Sequence, residues 1–145
     1  MRRHYLLAVF LLLLSSLTWA QDLFDPNLTP EGVRAALDAG ADLQARDEWG
    51  STPLMWAAGY NENPEVLQAL LNAGADLEAR NKDGRTPLMS AAGYNENPEV
   101  VLALLDAGAD ATAKNGEGKT AWDLIQDNEA LKGSKVYWRL NEPRY

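Results

Sequence analysis

Few residues in this sequence can attack, shuttle protons or hold a metal, and they are poorly placed to do so. The 145 residues include one histidine, His4, and no cysteine. His4 falls in an N-terminal leader, so the rest of the chain lacks the Ser/His and Cys/His pairs of nucleophilic catalysis. The usual zinc ligands are missing with them. Carboxylates are plentiful, but nothing in their spacing sets two across a cleft, and a charged surface accounts for them. Neither Asp47-Glu48-Trp49-Gly50 nor Asn81-Lys82-Asp83-Gly84 has the ligand spacing of a calcium loop, and Lys82 would oppose a cation. No glycine-rich phosphate loop follows a strand. The expectation is a protein with no catalytic site, no metal and no cofactor.

Recognition chemistry remains, and its residues are found by comparing the chain with itself. Ala57 to Val66 recurs letter for letter as Ala91 to Val100, 34 residues on. Laying 47–80 on 81–114 matches 23 of 34 positions without a gap. A fixed period of this length indicates a solenoid of stacked units. Of the eleven differences, four crowd one turn: Asp47/Asn81, Glu48/Lys82, Trp49/Asp83 and Ser51/Arg85. A fifth, Trp56/Ser90, falls on the following helix. Leu54, Ala57, Ala58, Leu70 and Leu71 have identical counterparts, so the comparison separates what packing requires from what it leaves free.

The elements that must carry these positions follow from caps and stripes. Thr29-Pro30, Thr52-Pro53 and Asn63-Pro64 each place a capping side chain before a proline at the first helical position. Val33, Ala36 and Leu37 form one apolar stripe, and Leu67, Leu70 and Leu71 another. Gly40 and Gly74 end these helices. Gly50 sits where a turn requires positive φ. The segment 81–114 repeats these events. Thr120-Ala121-Trp122-Asp123 opens a divergent unit, with Ser134 capping a final helix that carries Val136, Tyr137 and Leu140. Lys135 and Arg139 are expected to face water there.

Thr52-Pro53-Leu54-Met55-x-Ala57-Ala58, then Glu65-Val66, then Leu70-Leu71-x-Ala73-Gly74-Ala75-Asp76 resembles the ankyrin repeat, as does the copy from Thr86 to Asp110. The resemblance spans about 29–126. It implies an all-α solenoid of stacked antiparallel helix pairs joined by hairpin-like turns. The expected organisation is a signal peptide over 1–20, a lead-in and half-repeat cap over 21–46, repeats over 47–80 and 81–114, and a divergent repeat with a C-terminal cap over 115–145. Two departures stand out. Met55 and Met89 replace the family's usual histidine, so apolar packing is expected where a polar network would run. The unit is one residue longer than the family norm, with Tyr-Asn-Glu-Asn-Pro extending the loop between paired helices.

In proteins of this kind the turn tips and first-helix face meet partners. The resemblance therefore points to Glu48, Trp49, Ser51 and Trp56 in the first copy and to Lys82, Asp83, Arg85 and Ser90 in the second. Tyr60 and Tyr94 are a possible second docking strip, spaced roughly 10 Å apart by helix-packing distances; loop-closing hydrogen bonds are the competing explanation. Trp49 either meets a partner or packs back on the adjacent tip or on Trp56. Trp56 either lines a groove or joins the core. The Asp42, Asp76 and Asp110 series reads as turn capping.

The leader sets the expected location. Arg2 and Arg3 precede an apolar run from Tyr5 to Leu14, and Thr18-Trp19-Ala20 suits cleavage before Gln21. A periplasmic or secreted bacterial protein is expected, without a membrane anchor after cleavage. Losing Arg2 and Arg3 takes the 13 basic residues to 11 against 21 acidic, net −10. Such a surface repels phosphate backbones, so nucleic acid is an unexpected partner. The function expected is non-catalytic protein binding by a monomer. The alternative is an inhibitor or immunity protein that blocks one enzyme or toxin with an acidic face.

Overall fold

The computed structural model describes residues 23–142. The leader and its cleavage point lie outside them. Seven helices and no strand occur among the described residues: α1 Pro30–Asp38, α2 Pro53–Tyr60, α3 Pro64–Asn72, α4 Pro87–Tyr94, α5 Pro98–Asp106, α6 Ala121–Ile125 and α7 Lys135–Asn141. None is long and apolar enough to cross a membrane.

Each helix starts where its cap dictates. Thr29, Thr52 and Thr86 accept a backbone N–H from the first turn, and Asn63 and Asn97 do the same for α3 and α5. Proline stands in the first turn of all five. The five helices are only eight or nine residues long, too short to hold in isolation, so packing must sustain them. They stack in two rows. One row holds α2, α4 and α6; the other holds α1, α3, α5 and α7, with α2 against α3, α4 against α5 and α6 against α7 across the rows. Ala57, Ala58, Ala91, Ala92 and Ala121 are buried. These small side chains let the first row close up. Leu54, Leu67, Leu70, Leu88 and Leu104 are at most 1% exposed and form the spine of the core, each such burial contributing about 1.5–3 kcal/mol. Leu37 and Leu71, expected on the buried stripes, are only partly covered at the rim.

The methionines follow the apolar expectation: Met55 and Met89 are 2% and 1% exposed. Both ends of the described stretch are more structured than their sequences indicate. Leu23 and Leu28, in what reads as a mere lead-in, are buried core residues. At the other end Trp122 replaces a leucine because its ring meets Tyr137 of α7, centroids 4.8 Å apart. Asp123 completes a capping box with Thr120. Lys135 and Arg139 are exposed as expected, and the Arg139 guanidinium also pairs with Asp106 of α5 at 2.8 Å.

Candidate functional site

The turn tips are built by one recurring side chain. Asp47, Asn81 and Asn115 each use Oδ1 to accept two backbone N–H groups, from the residues two and four further on. The loop is thereby closed around glycines at φ between 73° and 78°. Adjacent tips are tied through the backbone, Lys82 N–H to the Trp49 carbonyl at 3.0 Å and Gly116 N–H to the Asp83 carbonyl at 2.8 Å. Arg46 and Arg80 repeat a second tie, each donating to a carbonyl of its own tip and to Arg80 or Lys114 one unit on.

Between these tips and the first-row helices lies a half-open cleft of about 300 Å³. Trp49, Ser51, Trp56, Tyr60, Asp83, Arg85, Ser90 and Tyr94 line it, together with Asp47, Met55 and Asn81. Eight of the ten residues expected from the sequence thus come together. Glu48 and Lys82 do not line it. They sit on the outer tips, where the Lys82 ammonium donates to the Glu48 carbonyl at 2.8 Å. Ser90 lines the cleft as its most buried expected residue, 8% exposed.

The aromatic side chains form a continuous series. Phe24 meets Trp56 edge-on at 6.3 Å, and Trp56 meets Tyr60 at 5.0 Å with planes 46° apart. Tyr60 stacks on Tyr94 at 5.9 Å and 14°. The tyrosine rings are therefore much closer than the roughly 10 Å set by helix spacing, because both side chains lean together across the gap. Arg85 donates to the Tyr94 hydroxyl and holds its guanidinium carbon 5.1 Å from that ring's centre. Partial burial, then the neighbouring Tyr94, push the Tyr60 phenol above its usual pKa, while Arg85 pulls the other way. Trp49 packs on neither Trp56 nor any other ring among the described residues, and is 55% exposed.

Trp56 is neither free lining nor full core. Its indole N–H donates to Asp47 Oδ2 at 2.6 Å. Two of the eleven differences between the copies are therefore one coupled change. Where Trp56 becomes Ser90, the acceptor carboxylate Asp47 becomes Asn81, whose amide points 3.4 Å from the Ser51 hydroxyl. Sequence reasoning missed Asp47 as a cleft residue. The signal was the joint Asp47/Asn81 and Trp56/Ser90 change.

The extended loop also has its explanation. Asn61, Asn95 and Asn128 are buried. Asn61 donates to the Leu28 carbonyl, Asn95 to those of Ala58 and Asn61, and Asn128 to those of Ala92 and Asn95, all between 2.8 and 3.0 Å. The Tyr-Asn-Glu-Asn stretch thus knits units together, as loop-closing hydrogen bonds. Asp42, Asp76 and Asp110 each accept the N–H two residues on, which is turn capping. No group of three or more His, Cys, Asp or Glu among the described residues is placed to hold a metal ion.

Residues 24–115 match the family model described as Ankyrin repeats (3 copies). The chain belongs to the ankyrin-repeat family. Ankyrin repeats are generic protein–protein interaction modules, generally without catalysis. No curated protein matches this ankyrin-repeat chain.

Proposed function

We propose that this ankyrin-repeat protein is a non-catalytic binding module of the bacterial periplasm that docks a protein partner on its turn tips and first-row helices. The observation that carries the reading is the cleft itself. Exposed Trp49, Tyr60 and Tyr94 gather there with Arg85 on one face, and Trp, Tyr and Arg are the residue types that dominate binding hot spots. Large rings left half in water are a standing cost to a folded chain, and a partner that covers them recovers it. The location follows from the leader at 1–20, with its paired arginines, apolar run and small-residue cleavage site.

Immobilised chain and a Trp49→Ala/Arg85→Ala variant, each exposed to periplasmic extract, test the reading. The wild type is expected to retain proteins that the variant loses. Identical capture by both would rule out the tip surface. Fractionation of cells producing the chain tests the location, which fails if the chain stays in the cytoplasm with residues 1–20 attached.

A further inference from the structure

The cleft has a chemical character that says what it takes, an inference that rests on its being a docking surface. Trp56 and Tyr60 meet at an angle rather than flat, Tyr94 backs Tyr60, and Trp49 also lines the cleft, with no ring partner among the described residues. Aromatic faces carry negative potential and attract cations. Two carboxylates reinforce them. The Asp47 carboxylate accepts hydrogen bonds from the Trp49 and Ser51 backbone N–H groups and from the Trp56 indole. The Asp83 carboxylate accepts no hydrogen bond and forms no ion pair among the described residues, although its backbone N–H is held by Asn81. Arg85 is the single cation among the described lining residues, and its guanidinium is engaged by the Tyr94 hydroxyl. A volume of about 300 Å³ suits one side chain and not a helix. The whole chain, at net −8, favours approach by a basic segment.

We propose that the cleft bounded by Trp49, Trp56, Tyr60, Tyr94 and Asp83 receives an arginine side chain from a basic segment of the protein partner. Arginine suits it better than lysine. A planar guanidinium stacks on ring faces and offers two parallel N–H donors to a free carboxylate, whereas an ammonium is a compact, strongly hydrated point charge.

The test titrates the ¹⁵N-labelled chain with N-acetyl-Gly-Arg-Gly-amide, following the tryptophan indole N–H signals. Trp49 and Trp56 should shift saturably while Trp122 and Trp138 stay in place. Asp83→Asn should weaken binding about tenfold, as expected for losing a hydrogen bond between charged groups. Glu99→Gln, on α5 outside the cleft, should leave it unchanged. The matching lysine peptide should bind more weakly. Absence of a saturable shift overturns the proposal. So does an Asp83→Asn effect no larger than that of Glu99→Gln, which would mean general attraction to an acidic surface. An equal response to the lysine peptide removes the arginine assignment, and binding of the matching glutamate peptide that Arg85→Gln abolishes makes this an anion site instead. These outcomes are separable from the wider reading. If the Trp49→Ala/Arg85→Ala variant loses captured proteins but the arginine peptide does not bind, docking stands and the arginine falls.

Discussion

Asp47 shows how one atom decides what a position can be. Its Oδ1 does the same work as Asn81 and Asn115, but only a carboxylate leaves a second acceptor for the Trp56 indole. Replacing Asp47 by Asn turns an acceptor into a donor facing a donor. Asp47→Asn should cost about 1–2 kcal/mol, and Trp56→Ser should cost the packing of Phe24 and Tyr60 on the ring. The double substitution recreates the second copy's arrangement. It should therefore cost less than the sum, with a coupling of at least about 0.5 kcal/mol. Urea unfolding of the four proteins measures this, and strict additivity would mean the bond contributes nothing. The candidates at the tips and on the first helix were legible individually because the copies disagree at them, whereas Tyr60 and Tyr94 are identical in both copies. That two of those differences are a single bonded pair was not, since a hydrogen bond between side chains nine residues apart leaves no periodic trace.

At the scale of the element, the tips and caps carry separate tests. Gly84 and Gly118 have nearly the same φ, 73° and 78°, but different surroundings. A Cβ on Gly84 would lie 2.9 Å from the Gly116 nitrogen that ties neighbouring tips, whereas one on Gly118 meets nothing within 4 Å. Gly118→Ala should cost about 1–2 kcal/mol, the strain of left-handed backbone alone, and Gly84→Ala distinctly more. Equal losses in thermal unfolding would show that the tip-to-tip bond is not under pressure. The capping box of α6 makes a claim about pH. Hydrogen bonds from the Thr120 N–H and hydroxyl hold the Asp123 carboxyl below the usual aspartate range, with Lys114 and Lys119 adding a smaller pull. A group with a lowered folded-state value stabilises above its unfolded value and loses that contribution as pH falls through the folded one. The wild type should exceed Asp123→Asn in stability at pH 7, the gap closing as pH drops below about 4. A gap independent of pH would remove the carboxylate from the account. Helix starts were readable because Thr-Pro and Asn-Pro caps, and the Thr120 and Ser134 caps of α6 and α7, act locally.

Across the whole molecule, cohesion runs through a ladder that no single unit contains. Asn95 donates to two carbonyls of the preceding unit, and its own carbonyl accepts from Asn128 of the next. Asn95→Ala should cost about 2 kcal/mol or more, since it strands buried acceptors. Because stability in a stacked array is shared between neighbours, hydrogen exchange should rise in both flanking units and not only around residue 95. A strictly local rise would confine the asparagine to loop closure. The ladder also accounts for the lengthened unit, as the loop must carry an asparagine inward and still cap the next helix with Asn63 or Asn97. Sequence comparison reads that stretch as identical in both copies and so cannot separate packing from binding. Burial separates them: Asn61 and Asn95 face inward, Tyr60 and Tyr94 face out.

By itself the sequence determined the repeat, its caps, its all-helical class and its lack of cysteine and of any histidine beyond His4. All of these are written in spacing and residue type within a few turns of chain. Only the tertiary structure decided that Leu23 and Leu28 belong to the core, that the tyrosines stack, and that Glu48 and Lys82 stand outside the cleft. It also buried Ser90 in the cleft lining and left Trp49 exposed with no ring partner among the described residues. Those outcomes depend on where side chains from different units meet, and identical repeats place identical residues before neighbours that differ.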